Sequence, residues 1–132
     1  MGQAAAKEGD LITNPSDIHL VVLDPLTQAP VPVPGHSFSG AINAGLSPNV
    51  NIEGRKAALK GATADNSPPH IPNGLRFFKE PENTATVTGG SFTVKINGIE
   101  AVRAGDSATT CNDPPVPDGG SVEVPFSTVR IG

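Results

Sequence analysis

Three histidines and one cysteine are the side chains of this sequence best suited to holding a soft or borderline metal ion: His19, His36, His70 and Cys111. Tetrahedral zinc accepts four nitrogen or sulfur donors, so this set would fill its coordination sphere. A filled sphere leaves no position for water or substrate, and one such ion is then structural. Iron ranks below zinc as the occupant. The donors are separated by 17, 34 and 41 residues, which matches no finger-type signature. Folding, not local spacing, must bring them together. Two other readings use the same residues. Cys111 could be a small buried side chain beside an open three-histidine site, the arrangement of a zinc-dependent hydrolase. His19, in an apolar run, could be a hydrogen-bonded core residue. A single cysteine excludes an intramolecular disulfide.

Other chemistry finds less support. Asp17, His19 and Ser91 can be drawn as a Ser/His/Asp set, but no nucleophile elbow surrounds Ser91. Thr88-Gly89-Gly90-Ser91 lacks the lysine of a phosphate loop and reads as a turn before a strand. Asp10 and Asp106 each follow a glycine, where carboxylates commonly bond their own backbone. No catalytic residue is assigned, and the chain is not expected to be an enzyme.

Donors so far apart need a framework, and an internal repeat supplies one. The pattern Gly-x-x-Ala-x-x-x-Gly occurs as Gly2/Ala5/Gly9, Gly54/Ala57/Gly61 and Gly98/Ala101/Gly105. The second and third copies follow a Val-x-Ile strand, Val50/Ile52 and Val94/Ile96. The matching strand for the first copy, Val129/Ile131, lies at the other end of the chain. Three pseudo-equivalent units around an axis follow, the third completed by the N- and C-termini, with Gly2 close to Gly132. Glycine supplies sharp positive-φ turns, and alanine lets units approach closely. Counted from the terminal glycine of each copy, His19 is ten residues on, His70 nine and Cys111 six. His36 comes from a proline-rich insertion, next to Gly35. If the units close around an axis, these loops converge at one end.

The remaining pattern is that of an all-β domain spanning residues 1–132. Short apolar or alternating runs at 18–23, 49–52, 92–96 and 126–131 are bounded by Gly, Pro, Asn or Asp. Period two places Val50/Ile52, Val94/Ile96 and Val129/Ile131 as inward pairs. Residues 55–60 are the only plausible helical turn, too short to stand alone. The proline-rich stretches 25–34, 68–72 and 114–117 read as stiff loops and edge segments.

At the repeats the sequence resembles the PAAR proteins, named for a Pro-Ala-Ala-Arg tetrapeptide, which cap the spikes of contractile injection systems. The matching segments are Ala4-Ala5-Ala6-Lys7 before Glu8-Gly9-Asp10, Lys56-Ala57-Ala58-Leu59 before Lys60-Gly61, and Glu100-Ala101-Val102-Arg103 before Ala104-Gly105-Asp106. Thr93-Val94-Lys95-Ile96-Asn97-Gly98 looks like the family's strand leading into the tetrapeptide. The sequence departs from the family where no copy begins with Pro, where Leu59 replaces the basic residue and where Ala62 stands for Asp. Residues 75–88, with Phe77 and Phe78, have no obvious counterpart. The two phenylalanines are expected in the core or in a base-facing patch, with a cargo site as the sharper alternative.

The resemblance implies a small pyramid or cone of short strands, with a metal bound near its tip by three His and one Cys. It further implies that the broad base docks on a trimeric spike protein and that the tip aids puncture of a target membrane, with transient contact during injection. The machine could be type VI secretion, a phage tail or an extracellular injection particle. The alternative is an adaptor whose main task is attaching cargo, in which case deleting 75–88 should abolish loading and spare spike binding. Composition agrees on partners: a net charge of −4 and a pI near 5.2 offer no cationic field for nucleic acid. No apolar run is long enough for a membrane helix, and residues 1–10 carry no signal-peptide pattern. The expectation is synthesis in the bacterial cytoplasm and delivery by another machine, as a bare tip ending at Gly132.

Overall fold

The computed structural model describes residues 2–72, 74–113 and 115–132; Pro114, the start of one proline-rich stretch, lies outside them. Turn residues punctuate the chain so densely that strands are the only regular elements among the described residues. In order these are β1 (Gln3–Ala4), β2 (Leu11–Val22), β3 (Pro30–Ile52), β4 (Arg55–Asp65), β5 (Arg76–Phe77), β6 (Thr84–Val87), β7 (Lys95–Ile96), β8 (Ile99–Glu100), β9 (Ser107–Thr109), β10 (Gly120–Glu123) and β11 (Arg130–Ile131). No helix occurs among the described residues, and 55–60 opens β4 instead of forming a helical turn.

β10 pairs with both β9 and β2, so the order β10-β9-β6-β4-β3-β2 closes on itself. The result is a small all-β cone. Its interior is filled by Ile12, Phe38, Ile42, Val87, Val102 and Val122, each no more than 2 % exposed. β3 serves two partners: residues 30–41 pair with β2, and residues from Ile42 onward pair with β4. The crossing is close at Gly40, where a Cβ would run into the Asp65 carbonyl oxygen. Beyond the barrel, β2 and β3 run on as a hairpin arm, to whose flank β5 adds. On that arm Pro30, Pro32 and Pro34 alternate along β3, leaving no N–H at those positions. Prolines so placed blunt a sheet edge, the role expected of this stretch.

Three strand pairs of the same kind, two of them hairpins, surround the opposite end. Ile52 pairs with Arg55 across Glu53-Gly54, and Ile96 with Ile99 across Asn97-Gly98. All four turn residues have positive φ, between 52° and 81°, as primed two-residue turns require. In the third unit Ile131 pairs with Gln3, so the two termini meet where the turn would be. The expected closeness of Gly2 and Gly132 is therefore met. The three motif copies then bridge one another cyclically: Ala5 with Arg103, Lys7 with Ala57, Leu59 with Ala101. The amides of Ala6, Ala58 and Val102 donate in turn to the carbonyls of Val102, Ala6 and Ala58, at 2.9, 3.1 and 3.2 Å. Ala5, Ala57 and Ala101 are fully buried beside Ile52 and Ile131, where larger side chains would hold the units apart. The closing glycines, Gly9, Gly61 and Gly105, share left-handed φ values of 92°, 96° and 86°.

The strand pairs need correction. Ile52 and Ile131 are buried and Ile96 half-buried, but Val50 and Val129 are exposed and Val94 is only half-buried. A serine hydroxyl holds the amide of each valine: Ser47 on Val50 at 2.9 Å, Ser91 on Val94 at 3.0 Å, Ser127 on Val129 at 3.3 Å. Such local side-chain-to-backbone bonds break the period-two alternation just ahead of each valine. For the same reason the runs at 92–96 and 126–131 shrink to the two-residue strands β7 and β11, leaving Phe92 90 % and Phe126 66 % exposed. The segment 75–88, unmatched by the resemblance, supplies β5 and the barrel strand β6.

Candidate metal centre

β2 changes phase on its way up the barrel. Ile12 and Asn14 point inward, Pro15 and Ser16 are both exposed, and Asp17, His19 and Val21 then point inward. A register irregularity against β3 between Asn14 and Asp17 marks this bulge. An added residue in one strand shifts which side chains face the core. Without it, Asp17 and His19 would face solvent; with it, both are fully buried. Alternation along β3 turns His36, Phe38 and Ile42 inward, and Asp17 pairs with His36 across the ladder.

The other two donors come from loops. Cys111 follows β9 and is 8 % exposed. His70 lies between β4 and β5, where Asn83 Oδ1 accepts its backbone N–H at 3.0 Å. Its ring is oriented by Asn66. The Asn66 Oδ1 accepts the Ser39 N–H at 3.0 Å, which directs Nδ2 as a donor to His70 Nδ1 at 3.2 Å. His70 Nε2 then carries the proton and donates to Asp17 Oδ2 at 3.1 Å.

Asp17, His19, His70 and Cys111 each bring one ligand atom to within 4.8 Å of the others. Cys111 Sγ stands 3.7 Å from His19 Nε2 and 3.5 Å from Asp17 Oδ2. His36 is outside this closest group but against it, its ring centroid 5.2 Å from that of His19 and 5.6 Å from that of His70. Phe77 closes the apolar side, with centroids 5.6 Å from His19 and 5.5 Å from His36. It is a wall of this site, not part of a base-facing patch, and its neighbour Phe78 is 51 % exposed.

Burial governs the electrostatics. Desolvation, reinforced by the adjacent His70 and His36, lowers the His19 pKa to about 4. Desolvation, with the Asp17 charge second, pushes the Cys111 thiol up to about 12. Both groups are thus neutral near pH 7 without a cation. Neutral imidazole is the metal-binding form, and a cation reverses the penalty on the thiolate. Among the described residues, His19 Nδ1 and both nitrogens of His36 are buried without a hydrogen-bond partner. Each buried polar atom left unpaired costs about 1–3 kcal/mol. Orphaned nitrogens beside a thiol and a carboxylate are what a missing cation would leave, so the residues fit one.

The alternative constellations do not assemble. Ser91 Oγ donates to the Gly132 carbonyl and accepts the amides of Thr93 and Val94, so its bonds lie at the termini. Asp10 Oδ2 accepts the Lys7 N–H at 2.9 Å and Asp106 Oδ2 that of Arg103 at 2.6 Å, each carboxylate also pairing with the basic side chain. In the sequence Asp17 stood out only in the Ser/His/Asp grouping with Ser91; its convergence with His19, His70 and Cys111 was not legible.

No protein-family model matches this chain, and neither does any curated protein.

Proposed function

We propose that this chain is a metal-stabilised tip for a trimeric spike, in the manner of the PAAR proteins its repeats resemble. The observation that carries the reading is the ring of backbone bridges through Ala5–Arg103, Lys7–Ala57 and Leu59–Ala101. A single chain that repeats its contacts three times around an axis can meet a three-fold partner on equal terms at each subunit. At that end Val50, Val129, Ile99, Phe92 and Phe126 stand exposed, an apolar rim suited to a spike end.

His19, His36, His70 and Cys111 would hold one zinc ion, with iron as the second choice. Such an ion would tie the two histidine-bearing strands of the arm to the loops carrying His70 and Cys111. Its role is structural, with no turnover. On this reading the protein is made in the bacterial cytoplasm, leaves as part of an injection particle and touches the target membrane only in passing.

The test is co-expression with a candidate spike trimer, followed by native mass spectrometry and metal analysis. One chain and one zinc per trimer is the expected result, and Cys111→Ala should lose the metal. Failure of the intact chain to bind a panel of spike trimers would remove the proposal. Cargo attachment is a second reading, favoured by exposed Leu26, Ile71, Leu75 and Phe78 on and beside the arm. Deleting 75–88 would not test it, because that removes the barrel strand β6.

A further inference from the structure

Asp17 is the hub of the buried cluster. Its Oδ1 accepts from Asn14 Nδ2 at 2.8 Å and from the Thr110 hydroxyl. Its Oδ2 faces His70 Nε2 at 3.1 Å and Cys111 Sγ at 3.5 Å. Asn14 Nδ2 also reaches Thr110 Oγ1 at 3.0 Å, so the two anchors brace each other. The carboxylate is fully buried, and all four groups around it are donors. One oxygen is therefore locked to the barrel, and the other is presented to two proposed metal donors.

Charge gives this geometry a purpose. A divalent cation with neutral imidazoles and one thiolate retains one net positive charge. Leaving that charge uncompensated in a buried site is costly. No other carboxylate joins the close group of potential ligands among the described residues. Resting on the metal reading, we propose that Asp17 is the positioning and charge-balancing carboxylate of this centre. In the ion-free chain it holds His70 and Cys111 together by hydrogen bonds. With a cation present it offsets the remaining charge. Outer partners of this kind typically change metal affinity by about 10- to 100-fold.

The experiment measures zinc and cobalt(II) affinity of the full chain by competition with a chromophoric chelator. Asp17→Asn keeps the shape and removes the charge; Asp17→Glu keeps the charge and disturbs the shape. Charge balance predicts zinc binding about 10- to 100-fold weaker in Asp17→Asn, with Asp17→Glu the tighter of the two. A merely structural role predicts the reverse order, and that order, or an Asp17→Asn affinity within about threefold of the parent, overturns the proposal. Should either variant fail to fold by circular dichroism, Thr110→Val takes its place, since it loosens Oδ1 and leaves the charge. It is expected to weaken zinc severalfold, and unchanged affinity overturns the inference. If the unaltered chain binds neither metal, the metal reading falls instead, a result separate from any ranking of variants.

Discussion

His19 carries the clearest solution signature of the buried cluster. Its folded pKa of about 4 lies below the ordinary 6.5, mainly through burial, with His70 and His36 adding to it and Asp17 and Asp113 opposing. As pH falls, the unfolded chain takes up a proton on this histidine before the folded chain does. Stability of the ion-free protein should therefore be greatest above about 6.5 and decline between about 6.5 and about 4. The loss should be on the order of 3 kcal/mol. Cys111 acts at the other limit. Its thiol at about 12 stays protonated when folded, so stability should fall again between about 9 and about 12. Urea midpoints across pH in chelator would show both limbs, and a flat acid limb would contradict the burial assigned to His19. His19, His70 and Cys111 were reachable by counting from the closing glycine of each repeat, whereas His36 came from the proline-rich insertion and stands outside the closest group. The part played by Asp17 was hidden by the bulge at Pro15 and Ser16, since a phase change leaves no mark in the alternation until the strand pairing is known.

At the scale of elements the three motif copies are close variants of one another, and their differences are informative. Lys7 pairs with Asp10 at 3.1 Å and Arg103 with Asp106 at 2.8 Å, while the second copy has Leu59 and Ala62, both buried, at the same places. Both halves of the ion pair are thus replaced together. Removing one partner of a buried pair strands the other charge and costs about 3–5 kcal/mol, whereas replacing both is often nearly neutral. Lys7 and Asp10 are only 7 % and 5 % exposed, so copying the second unit into the first makes a direct test. Lys7→Leu and Asp10→Ala should each cost about 3 kcal/mol, and the double variant should cost less than their sum by about 2 kcal/mol or more. Denaturation of the four proteins measures the cycle, and additivity would refute the coupling. In the sequence, Leu59 and Ala62 stand as two separate departures of the second copy. Only the paired geometry shows that its two departures belong together. Conversely, the Val-x-Ile runs looked like inward pairs because the serine hydroxyls that bend the chain before each valine have no signature in hydropathy.

Across the whole molecule, the units close on a seam left by the chain termini. Ile52-Glu53-Gly54-Arg55 and Ile96-Asn97-Gly98-Ile99 are two-residue hairpins, and Ile131 pairs with Gln3 in the same way across Gly132 and Gly2. A peptide bond from Gly132 to Gly2, with Met1 removed, would write a Gly-Gly turn in the third position, a sequence that primed turns accept. Glycine at both positions can adopt the positive φ that such a turn needs, and closing the chain removes conformational freedom from the unfolded state. Cross-links over loops of this length contribute about 5 kcal/mol in the chain-entropy treatment, an upper bound that native-state effects commonly reduce. The cyclised protein should accordingly gain about 2–4 kcal/mol. Against chelator-treated linear protein, that corresponds to a rise in Tm of several degrees. Zinc affinity should not change, because the ring of Ala6, Ala58 and Val102 and the barrel core separate the seam from the arm side of β2 that holds Asp17 and His19. A cyclic chain that melted no higher than the linear one would mean that the third unit is not equivalent to its neighbours. The three-fold argument for the partner would then lose its structural basis.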